Sequence, residues 1–379
     1  MRVLLCLFAI LVASDSHAKL PKWNQKMQQL RDTLEELLPE VTIDKDVDKA
    51  KLEKNVKKLT ELVHLLGVRP GGESLLPPDA DPSIPLIKDL FERETKRAYT
   101  ALKAGQIGYA KNILRNTTGY CISCHTRTDS GPDFPYLTLT PRTEKLSSFE
   151  KAELLSATRQ FGPAFEEFTK VVDDAKVAKN EQVRWQRSVL QALTIAIRVK
   201  RDPEEASEIS EKVMKSPTAP EFFKHYTKGW NASIGKWKKE GSRKITSKDG
   251  LLAEATRLFA EGQSLQEYPA DHSGDVSFLR ATAAAHDYQQ KSPEGESGAK
   301  GLYLEGLSYE ILNGSIMAPL SELYYESCVR KAPHSETAGQ CFRHYEEAVY
   351  FGYSGSGGTF IPEDVSALLK ELKDLSNSI

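Results

Sequence analysis

Five consecutive residues, Cys121-Ile122-Ser123-Cys124-His125, constrain this chain more than any other part of its sequence. Two cysteines three positions apart, with a histidine directly after the second, form the CxxCH pattern of covalent haem c attachment. On a helix, positions three apart share a face, so both thiols can reach the two vinyl groups of one porphyrin edge. His125 then turns its imidazole to the iron as the proximal ligand. The motif predicts one haem c.

Two other chemistries use the same cysteine spacing. A zinc site needs further cysteine or histidine ligands nearby in sequence, and none lies close to Cys124. A thioredoxin-like redox pair belongs to a βαβ unit, whereas helical patterns precede this motif. Haem attachment is therefore favoured over both alternatives.

The first residues have the parts of a secretory signal peptide. Arg2 supplies the positive region, residues 3–12 the apolar region, and a small-residue cleavage site ends at Ala18. We expect a periplasmic protein that is cleaved near Ala18 and carries no membrane span, because no later run approaches the roughly 20 apolar residues required. The net charge of -2 gives no basic field for binding nucleic acid.

The length of 379 residues suggests more than one domain. Residues 1–18 are the signal peptide, and residues 19–130 are predicted to form four amphipathic helices, the fourth running through the CxxCH motif. The first of these helices should stop at Pro39. Its apolar stripe consists of Trp23, Met27, Leu30, Leu34 and Leu37.

Residues 131–144 are rich in proline and polar residues and predict a linker. Residues 145–379 then predict a series of short helices, the first spanning Phe149 to Ala178 and the last Pro362 to Leu375. Two segments, 303–309 and 344–349, resemble tetratricopeptide repeats, although the 34-residue period is irregular. The glycine-rich stretch 354–359 lacks the lysine and preceding strand of a phosphate loop, so a flexible turn is expected. The predicted fold class is all-α, an N-terminal four-helix haem bundle followed by a TPR-like superhelix of helical hairpins.

A second pair of cysteines, Cys328 and Cys341, lies symmetrically about a turn at residues 332–336. If the flanking helices are antiparallel, the two side chains sit at the same height, so a structural disulfide is expected. His334 and His344 lie nearby and leave a weak metal site as the alternative.

The order of the motifs resembles one family. Class I cytochromes place CxxCH early and a ligand methionine downstream, but here the first methionine after His125 is Met214. A long helical sequence ending in CxxCH resembles instead the class II c-type cytochromes, the cytochrome c-prime group and its low-spin relatives, over about residues 20–128.

The resemblance implies a set of site residues. In that family the first helix faces the open side of the haem, which implies Met27 as the sixth iron ligand. His64 on the second helix is another candidate. Arg127 would either contact a haem propionate or be solvated, and Trp23 and Tyr120 would pack either on the porphyrin or within the helical core.

These features favour a periplasmic mono-haem cytochrome for electron transfer, with a helical-repeat scaffold that docks a redox partner protein. The alternative is a haem-based gas or redox sensor whose repeat domain transmits the signal. An enzyme is not expected, since di-haem peroxidases need two attachment motifs and this chain has one. Class II bundles often pair, so the resemblance also allows a homodimer.

Overall fold

The computed structural model describes residues 22–42, 48–66, 83–127, 143–241, 245–291, 293–312 and 320–377. These residues are almost entirely helical, which confirms the all-α fold class. The expected signal peptide and most of the expected linker lie outside the described ranges. None of the described helices combines the length and apolar composition that a bilayer crossing requires.

The N-terminal part of the described chain is a compact group of helices. They are α1 (Lys22–Thr42), α2 (Lys49–His64), α3 (Ser83–Lys103), α4 (Ile107–Arg115) and α5 (Thr118–His125). Helix α1 packs against α2 and α4, and α3 packs against α2, α4 and α5. The leucines of the predicted α1 stripe, Leu30, Leu34 and Leu37, are buried in the shared core. Burial of one apolar face is what holds these helices in place.

The end of α1 differs from the prediction, because the helix continues through Pro39 to Thr42. Proline removes one backbone hydrogen bond, but the residues after it gain tertiary contacts. Val41 is fully buried, and its carbonyl accepts a hydrogen bond from Arg115 Nε at 2.7 Å. The packing of this last turn against α4 therefore outweighs the loss of the backbone hydrogen bond at Pro39.

The predicted fourth helix is two helices, because α4 ends at Arg115 and α5 begins at Thr118. The two residues between them, Asn116 and Thr117, are weak helix formers whose side chains compete for backbone groups. Thr117 Oγ1 donates to the Leu114 carbonyl at 2.7 Å. The cysteine motif thus lies on its own short helix.

A long series of helices follows residue 143. They are α6 (Ser148–Ala157), α7 (Phe161–Asp173), α8 (Ala175–Asn180), α9 (Gln182–Thr194), α10 (Pro203–Lys215), α11 (Glu221–Glu240), α12 (Lys248–Leu265), α13 (Asp275–Gln289), α14 (Gly295–Ile311), α15 (Ser321–Lys331), α16 (Glu336–Gly352) and α17 (Glu363–Ser376). Helices next to each other in sequence pack together along most of this array. The TPR-like superhelix remains a prediction.

Two local features of the array differ from the prediction. The segment expected as one helix from Phe149 to Ala178 is α6, α7 and α8, broken at the left-handed residue Arg159 and at Asp174, which caps α8. The expected turn after α16 is a hairpin of two short strands, β1 (Ser354–Gly355) and β2 (Gly358–Thr359).

The second cysteine pair behaves as predicted. Cys328 on α15 and Cys341 on α16 are at disulfide distance, with their Cα atoms 6.2 Å apart. No cluster of three or more histidine, cysteine or carboxylate side chains suited to a metal ion occurs in the described ranges. The nearby His334 instead contacts the Asn377 carbonyl through Nδ1 at 2.7 Å.

Helix α5 lies between the other N-terminal helices and the array of helices α6 to α17. Helix α6 packs on α5 and places Leu154 in the N-terminal core. At the other end of the array, α15 contacts α3, and Ile87 of α3 joins the core of α14 to α17. Residues from both predicted domains therefore surround the cysteine motif.

Candidate functional site

Helix α5 presents its two cysteines to an apolar cleft. Cys121 and Cys124 are partly buried and lie on the face that lines this cleft. Ile122 and Ser123, which lie between them in sequence, are buried. The i, i+3 spacing therefore places both thiols along one wall, as expected from helix geometry.

The cleft contains a cavity of about 60 Å³, opens to solvent, and is lined almost wholly by apolar groups. An apolar lining with a few polar groups is typical of a small-molecule or cofactor site. Helices α1, α3 and α5, the turn after α2 and the end of α6 supply its walls. The lining residues are Met27, Leu30, Arg31, Leu34, Leu66, Ile84, Ile87, Lys88, Phe91, Tyr120, Cys121, Cys124, His125, Ala157 and Thr158. Met27 thus faces the same space as the cysteines and His125, as the resemblance implied.

The His125 ring is held by the last turn of α6. Its Nδ1 lies 2.8 Å from the Ala157 carbonyl oxygen. A carbonyl can only accept, so Nδ1 carries the proton and Nε2 keeps its lone pair. In a metal-binding histidine, the ring nitrogen that does not bind the metal commonly donates to a carbonyl, and this hydrogen bond fixes the tautomer.

The charge state of His125 suits a metal ligand as well. Burial, with the nearby Arg159 cation, lowers the pKa of His125 to about 4, and the Ala157 contact only partly offsets this. The imidazole is therefore neutral near pH 7, the form that binds iron.

The Cys121 thiol does not have the properties of a redox-active cysteine. Burial, and to a smaller extent the neighbouring Cys124, raises the pKa of Cys121 to about 12. A redox cysteine needs a lowered pKa, because the thiolate is the reactive form. This shift disfavours the thioredoxin-like alternative and leaves a neutral thiol facing an apolar cleft.

A buried polar contact fastens α5 to the array. Thr118 Oγ1 donates to Glu153 Oε2 of α6 at 3.0 Å, and Arg187 of α9 pairs with the same carboxylate at 2.5 Å. Glu153 is almost completely buried. Both ends of α5 are thus fixed to α6, Thr118 through Glu153 and His125 through Ala157.

The other expected site residues lie in different places. Tyr120 lines the cleft and stacks on Phe91, with ring centroids 5.8 Å apart. Arg127 is not among the lining residues, because its guanidinium is buried over the Tyr309 and Tyr324 rings, 5.1 and 5.5 Å from their centroids. The side chain of Trp23 lies outside the described part of the structure.

His64, the second candidate for the sixth ligand, is an exposed side chain on α2. Its Nδ1 pairs with Glu92 Oε1 at 2.8 Å, and it does not line the cleft. Of the two candidates, the structure therefore brings only Met27 to the cysteine motif.

Several cleft residues were missed by sequence reasoning. Arg31 and Lys88 place basic side chains on an otherwise apolar lining. Arg31 follows Met27 by one helical turn and so lies on the same face of α1, a spacing that could have predicted its place in the lining. Ala157 contributes through its backbone carbonyl, for which the sequence carries no signal.

No described protein family, curated protein or solved structure matches this chain.

Proposed function

We propose that the chain is an exported, mono-haem c-type cytochrome that transfers electrons, with haem c attached to Cys121 and Cys124. His125 would be the proximal iron ligand and Met27 the sixth. One observation carries this proposal, namely that all four side chains line a single apolar cleft although they come from α1 and α5.

The residues of the cleft fit haem c in three respects. The two thiols lie on one wall, at the spacing that the vinyl groups need. The imidazole is neutral, with Nδ1 bonded to Ala157 and Nε2 left to bind iron. Arg31 and Lys88, which pair with Asp32 and Glu92, line the cleft and would offer their cations to the carboxylates of the propionates.

When bound, the haem iron supplies a one-electron couple between its ferric and ferrous states. The chain's own residues exclude water through Leu30, Leu34 and Phe91 and hold the imidazole in a single tautomer. A thioether ligand from Met27 would favour the ferrous state and raise the reduction potential. These roles agree with electron transfer and require no catalytic residue.

The packing order of α1 to α4 supports the class II resemblance, since each of these helices contacts two others of the group. The array supports a docking role, because Phe351 and Phe360 beside the β-hairpin are 87% and 79% exposed. Exposed aromatic surface of this kind commonly marks a protein interface. Between Arg343 and Lys370 the sequence has four carboxylates and no lysine or arginine, which favours a redox partner with a basic surface.

A haem-based sensor is the second candidate. The observation that favours it is the bond from His125 to Ala157, since a change at the iron would act directly on the first helix of the array. Binding of carbon monoxide separates the two functions, because an electron-transfer site with Met27 bound resists it.

Replacing Met27 tests the proposed iron coordination. We expect the reduced wild-type protein to have a low-spin visible spectrum, and Met27→Ala to become high-spin and bind carbon monoxide rapidly. Met214→Ala is the matched control, since Met214 lies on α10 outside the cleft. A low-spin spectrum that is unchanged in Met27→Ala would exclude methionine ligation. Rapid carbon monoxide binding by the wild-type protein would favour the sensor.

A further inference from the structure

Arg159, between α6 and α7, has a backbone conformation that is unusual for its residue type. Its φ is +63°, in the left-handed region that non-glycine residues rarely adopt. The Arg159 amide donates to the Ser156 carbonyl at 3.1 Å, and the Gln160 amide donates to the Leu155 carbonyl at 2.7 Å. This hydrogen-bond pattern is a helix C-cap whose left-handed position is usually glycine.

A side chain at a glycine-type position suggests that the side chain itself is used. The Arg159 guanidinium is almost completely buried and donates from Nη1 to the His125 carbonyl oxygen at 3.4 Å. It also lies over the Phe161 ring, 5.4 Å from its centroid. The same turn provides the Ala157 carbonyl that accepts from the His125 ring. The end of α6 therefore forms hydrogen bonds with both the backbone and the ring of His125.

We propose that Arg159 is the positioning residue that raises the reduction potential of the iron bound at His125. The inference rests on the proposed haem and adds a residue that sets its potential. A fixed cation beside the proximal ligand disfavours the ferric state, which carries one more positive charge than the ferrous state. The effect is strong in a buried site, where charges are poorly screened.

The alternative is that Arg159 only ends α6 and packs on Phe161. Three substitutions separate the two roles. Arg159→Met keeps the length of the side chain but removes its charge, and Arg159→Lys keeps the charge. Arg159→Gly removes the side chain while favouring the left-handed backbone, so it should fold even if the methionine variant does not.

The experiment is a potentiometric titration of the full-length holoprotein, followed by visible absorbance. We expect Arg159→Met and Arg159→Gly to lower the midpoint potential. At a fixed ambient potential the ferrous-to-ferric ratio should fall about tenfold, which equals about 59 mV for one electron. Arg159→Lys should stay close to the wild type.

Arg201→Met is the matched control, because Arg201 is also left-handed, with φ of +52°, but pairs with Asp287 outside the cleft. Its potential should equal that of the wild type. Unchanged potentials in both Arg159→Met and Arg159→Gly would overturn the inference. A pyridine haemochrome assay on the wild type distinguishes this result from failure of the proposed function. If the proposed function fails, the assay detects no covalent haem.

Discussion

At the scale of single residues, Glu153 connects the cysteine helix to the rest of the molecule. Its carboxylate accepts from Thr118 of α5 and pairs with Arg187 of α9. Burial raises the pKa of Glu153, while the Arg187 charge and the Thr118 hydrogen bond act in the opposite direction. A buried carboxylate held in this way stabilises the fold only while both partners remain.

Removing the Glu153 carboxylate should therefore destabilise the protein. We expect Glu153→Ala to lower the free energy of unfolding by about 3 kcal/mol, because Arg187 then loses its buried partner. Thr118→Val is the control, which removes one hydrogen bond at nearly constant volume and should cost about 1 kcal/mol. Urea unfolding of both variants measures the difference. Equal losses in the two variants would show that the ion pair contributes nothing.

At the scale of helices and strands, periodic apolar residues predicted the elements well. Leu30, Leu34 and Leu37 of the α1 stripe are buried as expected, and the disulfide between α15 and α16 follows from the symmetry of Cys328 and Cys341 about their turn. The errors fall where tertiary contacts override local signals. Helix α1 passes Pro39 because Val41 is buried, and this packing partner lies far away in the sequence.

The disulfide should stabilise the α15–α16 pair. Replacing both Cys328 and Cys341 by alanine should lower the free energy of unfolding by about 3 kcal/mol, because the unfolded chain regains the entropy of an open loop. Denaturant unfolding of the double variant measures this loss. An unfolding free energy equal to that of the wild type would mean that the crosslink adds no stability.

At the scale of the whole molecule, the two predicted domains share one site. Helix α6 binds α5 from one side, and Arg127, two residues after His125, is buried against Tyr309 of α14 and Tyr324 of α15. The sequence indicated the cysteine motif, which is a local pattern, and the family resemblance implied Met27. It could not indicate Ala157 or the burial of Arg127, because each depends on how the array folds back onto α5.

The most direct test is the mass of the intact, denatured protein, purified from the periplasm of cells that attach haem c. We predict a polypeptide that retains one haem after denaturation and gives the pyridine haemochrome spectrum of haem c. The double variant Cys121→Ala/Cys124→Ala should lose both signals. A wild-type chain of unmodified mass, with free thiols at Cys121 and Cys124, would contradict the proposed function.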